Sequence, residues 1–194
     1  MSQLDQMLGS ARRGVAGLRD LMEDLLGDGS IQSGRLRVYP RSAEPRAIVE
    51  DAIGAVGPPV EIRQRRIACD RAEDVISVLV DRRYGRQVLV HLLGNASAYS
   101  PSGDLIRVRA ERADGQVCLT VEDRGTGIPA EQRAGPFERL CRARHVYDEP
   151  VIGLGPAITR GIVEAHGGSI RVDSEVGVGT SVWFTLPEAK ELGA

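Results

Sequence analysis

Residues Leu105–Pro129 read LIRVRAERADGQVCLTVEDRGTGIP. Two runs within it, Leu105 to Glu111 and Val117 to Val121, alternate apolar and polar side chains, the period of strands buried on one face only. Between them stands Asp114-Gly115, a dipeptide suited to the two positive φ values that a tight hairpin turn requires. Strands joined this closely are antiparallel. With helical segments on either side, the hairpin argues for an α+β, two-layer α/β sandwich rather than a doubly wound sheet.

Upstream of the hairpin, Val88, Leu89, Leu92 and Leu93 recur with helical period between Arg82 and Ala98, and Pro101 and Gly103 end that helix. An earlier helix is predicted from Pro45, turning Ile48, Val49, Ala52 and Ile53 inward and stopping before Gly57-Pro58-Pro59. Val60–Arg65 and Val75–Val80 then read as strands. Downstream, a helix is expected after Gly155, followed by strands over Ser169–Val172 and Ser181–Leu186, joined through Gly177 and Gly179. Between Arg133 and Pro150 charge and proline displace any period, which predicts a mobile segment. At the amino end, Leu4, Met7, Leu8, Val15, Leu18, Met22, Leu25 and Leu26 outline an appended amphipathic helix. Gly27, Gly29 and Gly34 interrupt it, and Leu36–Val38 with Pro40 reads as a short strand entering a loop.

The 194 residues, 42% of them hydrophobic, suffice for one domain and a modest appendage. No apolar run approaches the roughly 20 residues of a membrane-spanning helix. The first residues, MSQLDQMLGSARRG, lack the apolar core of a secretion signal, so a cytoplasmic location is expected, whether or not a longer natural protein is membrane-anchored. A net charge of −2 provides no broad cationic field, and the cluster Arg63, Arg65 and Arg66 is local, so no nucleic-acid partner is expected. Cys69, Cys118 and Cys141 lack metal-ligand spacing and suit reduced thiols.

Three constellations carry chemistry. In His91-Leu92-Leu93-Gly94-Asn95, the two polar residues stand four apart on one helix face. The Asn95 amide oxygen is a hard donor of the kind Mg²⁺ shares with phosphates and water; two polar surface residues would look the same. In Asp123-Arg124-Gly125-Thr126-Gly127-Ile128-Pro129, the glycines let backbone approach a ligand closely, and Asp123 can accept from an exocyclic amine such as that of adenine; a tight turn is the alternative. In Gly153-Leu154-Gly155, glycines opening a helix expose N–H groups to a phosphate, or form a plain loop.

In this order the motifs resemble those of sensor histidine kinases. Gln87–Pro101, QVLVHLLGNASAYSP, resembles their N-box, and DRGTGIP at Asp123–Pro129 their first glycine box. Phe137-Glu138-Arg139-Leu140 is similar to the F-box, Gly153–Ile158 to the second glycine box, and His166–Pro187 to the closing segment. Five ordered motifs between about Ala43 and Pro187 are far more specific than any one. The resemblance implies a Bergerat fold, a mixed and mostly antiparallel sheet covered by helices, with ATP and Mg²⁺ as cofactors. Carried over by position, Asn95 holds Mg²⁺, Tyr99 stacks near adenine, and Asp123 reads the adenine amine with support from Thr180. Gly125 and Gly127 shape the base pocket, Phe137 anchors the lid, and Arg142 reaches the phosphates. Gly153, Leu154 and Gly155 line the phosphate path. His91 stands where related ATPases have a glutamate base and is the candidate catalytic residue, with a spectator role as the alternative.

Some positions depart from the family pattern. Ala98 replaces a lysine near the phosphates, Val151 and Ile152 replace glycines, and Pro156 replaces a leucine. The β-branched pair restricts the backbone of a closing lid. Leu18–Leu26 and Ile31–Leu36 are similar to the second dimerisation helix and its connector, but no phospho-accepting histidine setting accompanies them. Residues 1–42 are therefore expected to be a partial dimerisation helix and connector, 43–190 the ATP-binding catalytic domain and 191–194 a tail. The implied partners are a phospho-accepting histidine domain and a response regulator, both outside this chain, with a homodimer through residues 4–26 also open. A non-catalytic scaffold relative, or a hydrolytic ATPase using His91, are the competing functions.

Overall fold

The computed structural model describes residues 36–62, 66–71, 77–130 and 155–189. Their elements are β1 (Arg41–Ala43), α1 (Pro45–Ile62), β2 (Arg66–Arg71), β3 (Val78–Val80), α2 (Arg82–Tyr99), β4 (Leu105–Ala113), β5 (Gln116–Asp123), α3 (Gly155–Ala165), β6 (Ile170–Glu175) and β7 (Gly179–Pro187). The helix expected over Leu4–Leu26 and the segment from Arg133 to Pro150 lie outside the described residues. No helix among the described residues is long and apolar enough to cross a membrane.

Strands β2, β4, β5, β7 and β6 form the main sheet in that order, with β2 parallel to β4 and the other neighbours antiparallel. The hairpin turns at Asp114 (φ 50°) and Gly115 (φ 74°), the pair of positive values its dipeptide predicts. Alternation sends Ile106, Val108, Leu119, Val121, Phe184 and Leu186 to a single buried face. Against that face lie Ile48 and Val49 of α1, Leu89 and Leu93 of α2, and Ile158 and Ile162 of α3, all nearly fully buried. Each such side chain contributes about 1.5–3 kcal/mol. The other face is polar: Arg109, Thr120 and Trp183 follow one another across the strands, with the Arg171 guanidinium 5.2 Å from the Trp183 ring. The two-layer, mostly antiparallel architecture read from the hairpin is the one observed.

Helix α2 packs against both other helices and against β4 and β5, so it occupies the middle of the helical layer. Its ends are set by local chemistry. Asp81 caps the amino end by accepting from the Arg83 N–H at 3.2 Å. Ser100 leaves the helix in extended conformation, as the residue before Pro101 must, and its hydroxyl donates to the Ala96 carbonyl at 2.6 Å.

The structure departs from the sequence reading in three places. Helix α1 continues through Pro58 and Pro59 to Ile62 instead of stopping before Gly57, and the strand expected over Val60–Arg65 begins at Arg66. Proline withholds two donors but its φ near −65° is a helical value. The strand position follows from its parallel partner, since Arg66 pairs with Leu105 and Arg71 with Ala110. The strand expected over Leu36–Val38 lies at Arg41–Ala43, where β3 supplies an antiparallel partner.

His166 joins the ends of two helices. Its Nε2 accepts from the Asp81 N–H at 3.0 Å, so its proton sits on Nδ1, which donates to the Ile162 carbonyl at 2.8 Å. Gly167, at φ 77°, then closes α3: its N–H donates to the Glu164 carbonyl and that of Gly168 to the Val163 carbonyl. The Asp81 carboxylate in turn accepts from the Tyr39 N–H at 3.2 Å. Replacing His166 by alanine leaves the part-buried Asp81 N–H without its acceptor, and a loss of about 1–3 kcal/mol is expected in urea unfolding. The exposed Arg46–Glu50 pair serves as comparison; its Arg46→Ala variant should leave the unfolding midpoint nearly unchanged.

Candidate functional site

The carboxylate of Asp123 ends β5 opposite Thr180 on β7. Its Oδ1 accepts from the Gly125 N–H at 2.7 Å, and the Thr180 backbone N–H also favours the charged carboxyl. Burial pushes this carboxyl above the usual aspartate range; the Gly125 and Thr180 N–H groups pull it down, and the Asp104 and Glu122 charges add to the rise. The group is a fixed acceptor in a partly dry place.

The turn after Asp123 is wedged between two other segments. A Cβ on Gly125 would sit 2.8 Å from the Tyr99 carbonyl oxygen and 2.7 Å from Asp123 Oδ1. Gly127 has φ 72°, and a Cβ there would collide with the Glu175 carbonyl. The Gly177 N–H donates to the Thr126 carbonyl at 2.9 Å, tying the β6–β7 turn to the same loop. The glycine spacing in the sequence therefore marks close backbone approach on both sides.

Ser174, which belongs to none of the sequence motifs, is the hub of this region. It is buried, accepts from the Ile128 N–H at 2.8 Å and donates to the Gly179 carbonyl at 2.9 Å. Its single hydroxyl hydrogen is thus committed, so Thr180, whose Oγ1 is 2.9 Å away, must be the donor in their contact. The lone pairs of Thr180 stay available as acceptors beside Asp123. A serine in strand sequence gives no local signal of this role, which arises from partners on two other segments.

His91, Asn95 and Tyr99 follow at four-residue intervals on α2, all half-buried, and form one stripe ending where the Tyr99 carbonyl meets Gly125. His91 Nδ1 lies 3.4 Å from Oγ1 of the fully buried Thr159 on α3, and burial raises the Tyr99 phenol. Gly155 is the first residue of α3. The structure thus groups Tyr99, Asp123, Gly125, Gly127 and Thr180 around one turn, with Asn95 a helical turn away. Phe137, Arg142, Gly153 and Leu154, and with them the departures at Val151 and Ile152, lie outside the described residues.

The donor set suits a metal nucleotide. No group of three or more His, Cys, Asp or Glu side chains capable of holding a metal occurs among the described residues. The Asn95 amide oxygen on α2 is a hard donor, and Mg²⁺ needs few protein oxygens when water and phosphates complete its shell. An open hollow lined by Tyr39, Arg41, Asp81 and Arg82 lies at the other end of α2 and shares none of the glycine-turn residues.

The chain is similar to known proteins over most of its length. Residues 80–190 match the family described as histidine kinase-, DNA gyrase B-, and HSP90-like ATPase. The adaptive-response sensory kinase SasA of Synechococcus sp. is 31% identical over 183 residues, covering 94% of this chain and 48% of that protein. SasA of Thermosynechococcus vestitus is 32% identical over 191 residues, covering 96% and 50% respectively. The chain thus spans about half the length of the curated relatives it matches. Among solved structures, full-length ShkA in complex with AMPPNP superposes with a TM-score of 0.80 at 23% identity, over 100% of this chain and 40% of that one. A mycobacterial sensor histidine kinase, MprB, superposes with a TM-score of 0.68 at 26% identity, over 77% and 98%.

Two outcomes are expected from the site's own energetics. Ser174→Ala removes the hub and its bonds to the Ile128 N–H and Gly179 carbonyl, which should lower stability by about 1–3 kcal/mol and speed hydrogen exchange at Ile128. Because the folded carboxyl of Asp123 is raised, the folded state holds that proton more tightly than the unfolded chain does. Its ionisation therefore lowers stability as pH rises from about 3.9 through the raised value. Asp123→Asn removes that slope, so the variant's stability relative to wild type should climb with pH across the same window in denaturant titrations.

Proposed function

The chain belongs to the histidine kinase-, DNA gyrase B- and HSP90-like ATPase family, and we propose that it is the catalytic and ATP-binding domain of a two-component sensor histidine kinase. In this reading residues 43–190 bind MgATP and present the γ-phosphoryl group to a histidine carried outside this chain. The observation that supports it most is the Asp123 carboxylate, pinned by the Gly125 and Thr180 N–H groups beside a turn without room for side chains.

Each residue has a chemical task. Asp123 accepts from the purine amine, and Thr180 offers a second acceptor next to it. Gly125 and Gly127 shape the base pocket by letting the turn pack against the Tyr99 and Glu175 carbonyls, and Tyr99 stacks near the base. The Asn95 amide oxygen would hold Mg²⁺, which when bound neutralises charge on the phosphates. By the family resemblance, Phe137 would anchor the lid and Arg142, with Gly153, Leu154 and Gly155, would hold the phosphate chain. Phosphoryl transfer asks mainly for positioning and charge neutralisation, and these residues supply both. His91 sits against Thr159, which suits an orienting role more than that of a solvent-facing base. The response regulator and the phospho-accepting domain are partners of the whole protein, and residues 4–26 are a candidate dimer contact.

Calorimetric titration with ATP tests the reading. Wild type should bind more tightly with Mg²⁺ than without it, and Asn95→Ala should collapse that difference. Asp123→Asn should weaken ATP by roughly tenfold or more, the scale of a charged hydrogen bond. No binding by wild type would overturn the proposal. Binding without transfer to any supplied histidine domain would instead favour the scaffold reading that Ala98 permits.

A further inference from the structure

Asp104 stands at the entrance to β4, one residue before the strand that pairs with β5. Its Oδ1 accepts from the Leu105 N–H at 2.8 Å, and its backbone carbonyl accepts from the Arg66 N–H at 3.1 Å. The second carboxylate oxygen, Oδ2, is buried and has no hydrogen-bond partner among the described residues. A buried acceptor left unpaired is uncommon in a folded protein and calls for an explanation. In the antiparallel β4–β5 pair, in which Arg107 faces Glu122, the entrance of β4 and the end of β5 lie at the same end, so Asp104 and Asp123 share that edge of the sheet. The charge of Asp104 is felt at Asp123, whose carboxyl it helps to raise. Of the other acidic groups acting there, Glu122 has a cationic partner, Arg109, at 3.5 Å.

We propose that Asp104 is a specificity-determining residue that biases the Asp123 site toward a 6-amino purine and against a 6-oxo purine. It acts through the potential at Asp123 and does not itself need to touch the base. An amine hydrogen arriving there is attracted by both carboxylates. A carbonyl oxygen arriving at the same point meets two like partial charges in a partly dry place, where such terms are screened less than in water. The inference rests on the reading of Asp123 as the purine acceptor, and adds the group that sharpens its choice.

The test measures ADP and GDP affinity of the full chain by calorimetry for wild type, Asp104→Asn and Glu122→Gln. Asp104→Asn keeps the shape and an acceptor for the Leu105 N–H while removing the charge. Its ADP-over-GDP preference should fall by about three- to tenfold, chiefly through tighter GDP binding, as expected for removal of a partly screened charge. Glu122→Gln should leave the ratio within about twofold, its charge being already paired. If Asp104→Asn melts early, Asp104→Ser provides the same comparison with a shorter acceptor. An unchanged ratio in a variant that melts like wild type overturns the role of Asp104 alone. An equal change in Glu122→Gln also overturns it, because general charge would then be responsible. If wild type binds neither diphosphate, the proposed function falls and this inference with it.

Discussion

Three backbone segments meet where β5 ends, with no space for a β-carbon between them. The carbonyl of Tyr99 closes α2 against Gly125, and the carbonyl of Glu175 closes β6 against Gly127. Both approaches hold only while the turn stays in the conformation that Gly127 at φ 72° allows. Every candidate contact to a nucleotide base descends from this meeting point, because it sets how far Asp123 stands from the helix that carries Asn95. A side chain added at either glycine would push the central helix or the β6–β7 turn away, and the site would open as a unit.

Within that frame the electrostatics are arranged against solvent. Burial alone would favour a neutral Asp123, yet the Gly125 and Thr180 N–H donors favour its charge. Asp104 and Glu122 tilt the balance the other way. A carboxylate in such opposition is a good acceptor with few competing partners, which suits it to a ligand donor better than to a structural ion pair. Ser174 plays the matching part for geometry. One hydroxyl binds the glycine turn at Ile128 to β7 at Gly179 and orients Thr180, so two strands and a loop share a single oxygen.

The far end of the helical layer depends on a comparable polar joint. His166 lies in a segment dense in glycine, and its imidazole spans from the last turn of α3 to the cap of α2. The surface ion pairs, Arg82–Asp51 and Arg160–Glu164 among them, have side chains largely exposed on at least one partner and contribute little. Stability therefore rests on the apolar faces of the helices and on a small number of buried polar connections at element ends.

Most elements were legible in the chain because hydrophobic periodicity reports which face of a segment is buried. Asp114-Gly115 announced the hairpin, and the spacing of Asp123, Gly125 and Gly127 announced the turn at the candidate site. Periodicity says nothing about which distant segment supplies the other side of a contact. The start of the strand at Arg66–Arg71 is therefore decided by its parallel partner β4 and not by local pattern, and Pro58-Pro59, a stop signal by residue type, lies within α1. Ser174, the bond from Asp81 to His166 and the unpaired oxygen of Asp104 left no local mark for the same reason. The sequence by itself determined the segments, their buried faces and the chemistry of the glycine turn, since these follow from residue type and spacing along one strand or helix. Only the tertiary structure decided the hydrogen-bond partners and the burial that shifts Asp123, because both depend on groups brought together from far apart in the chain.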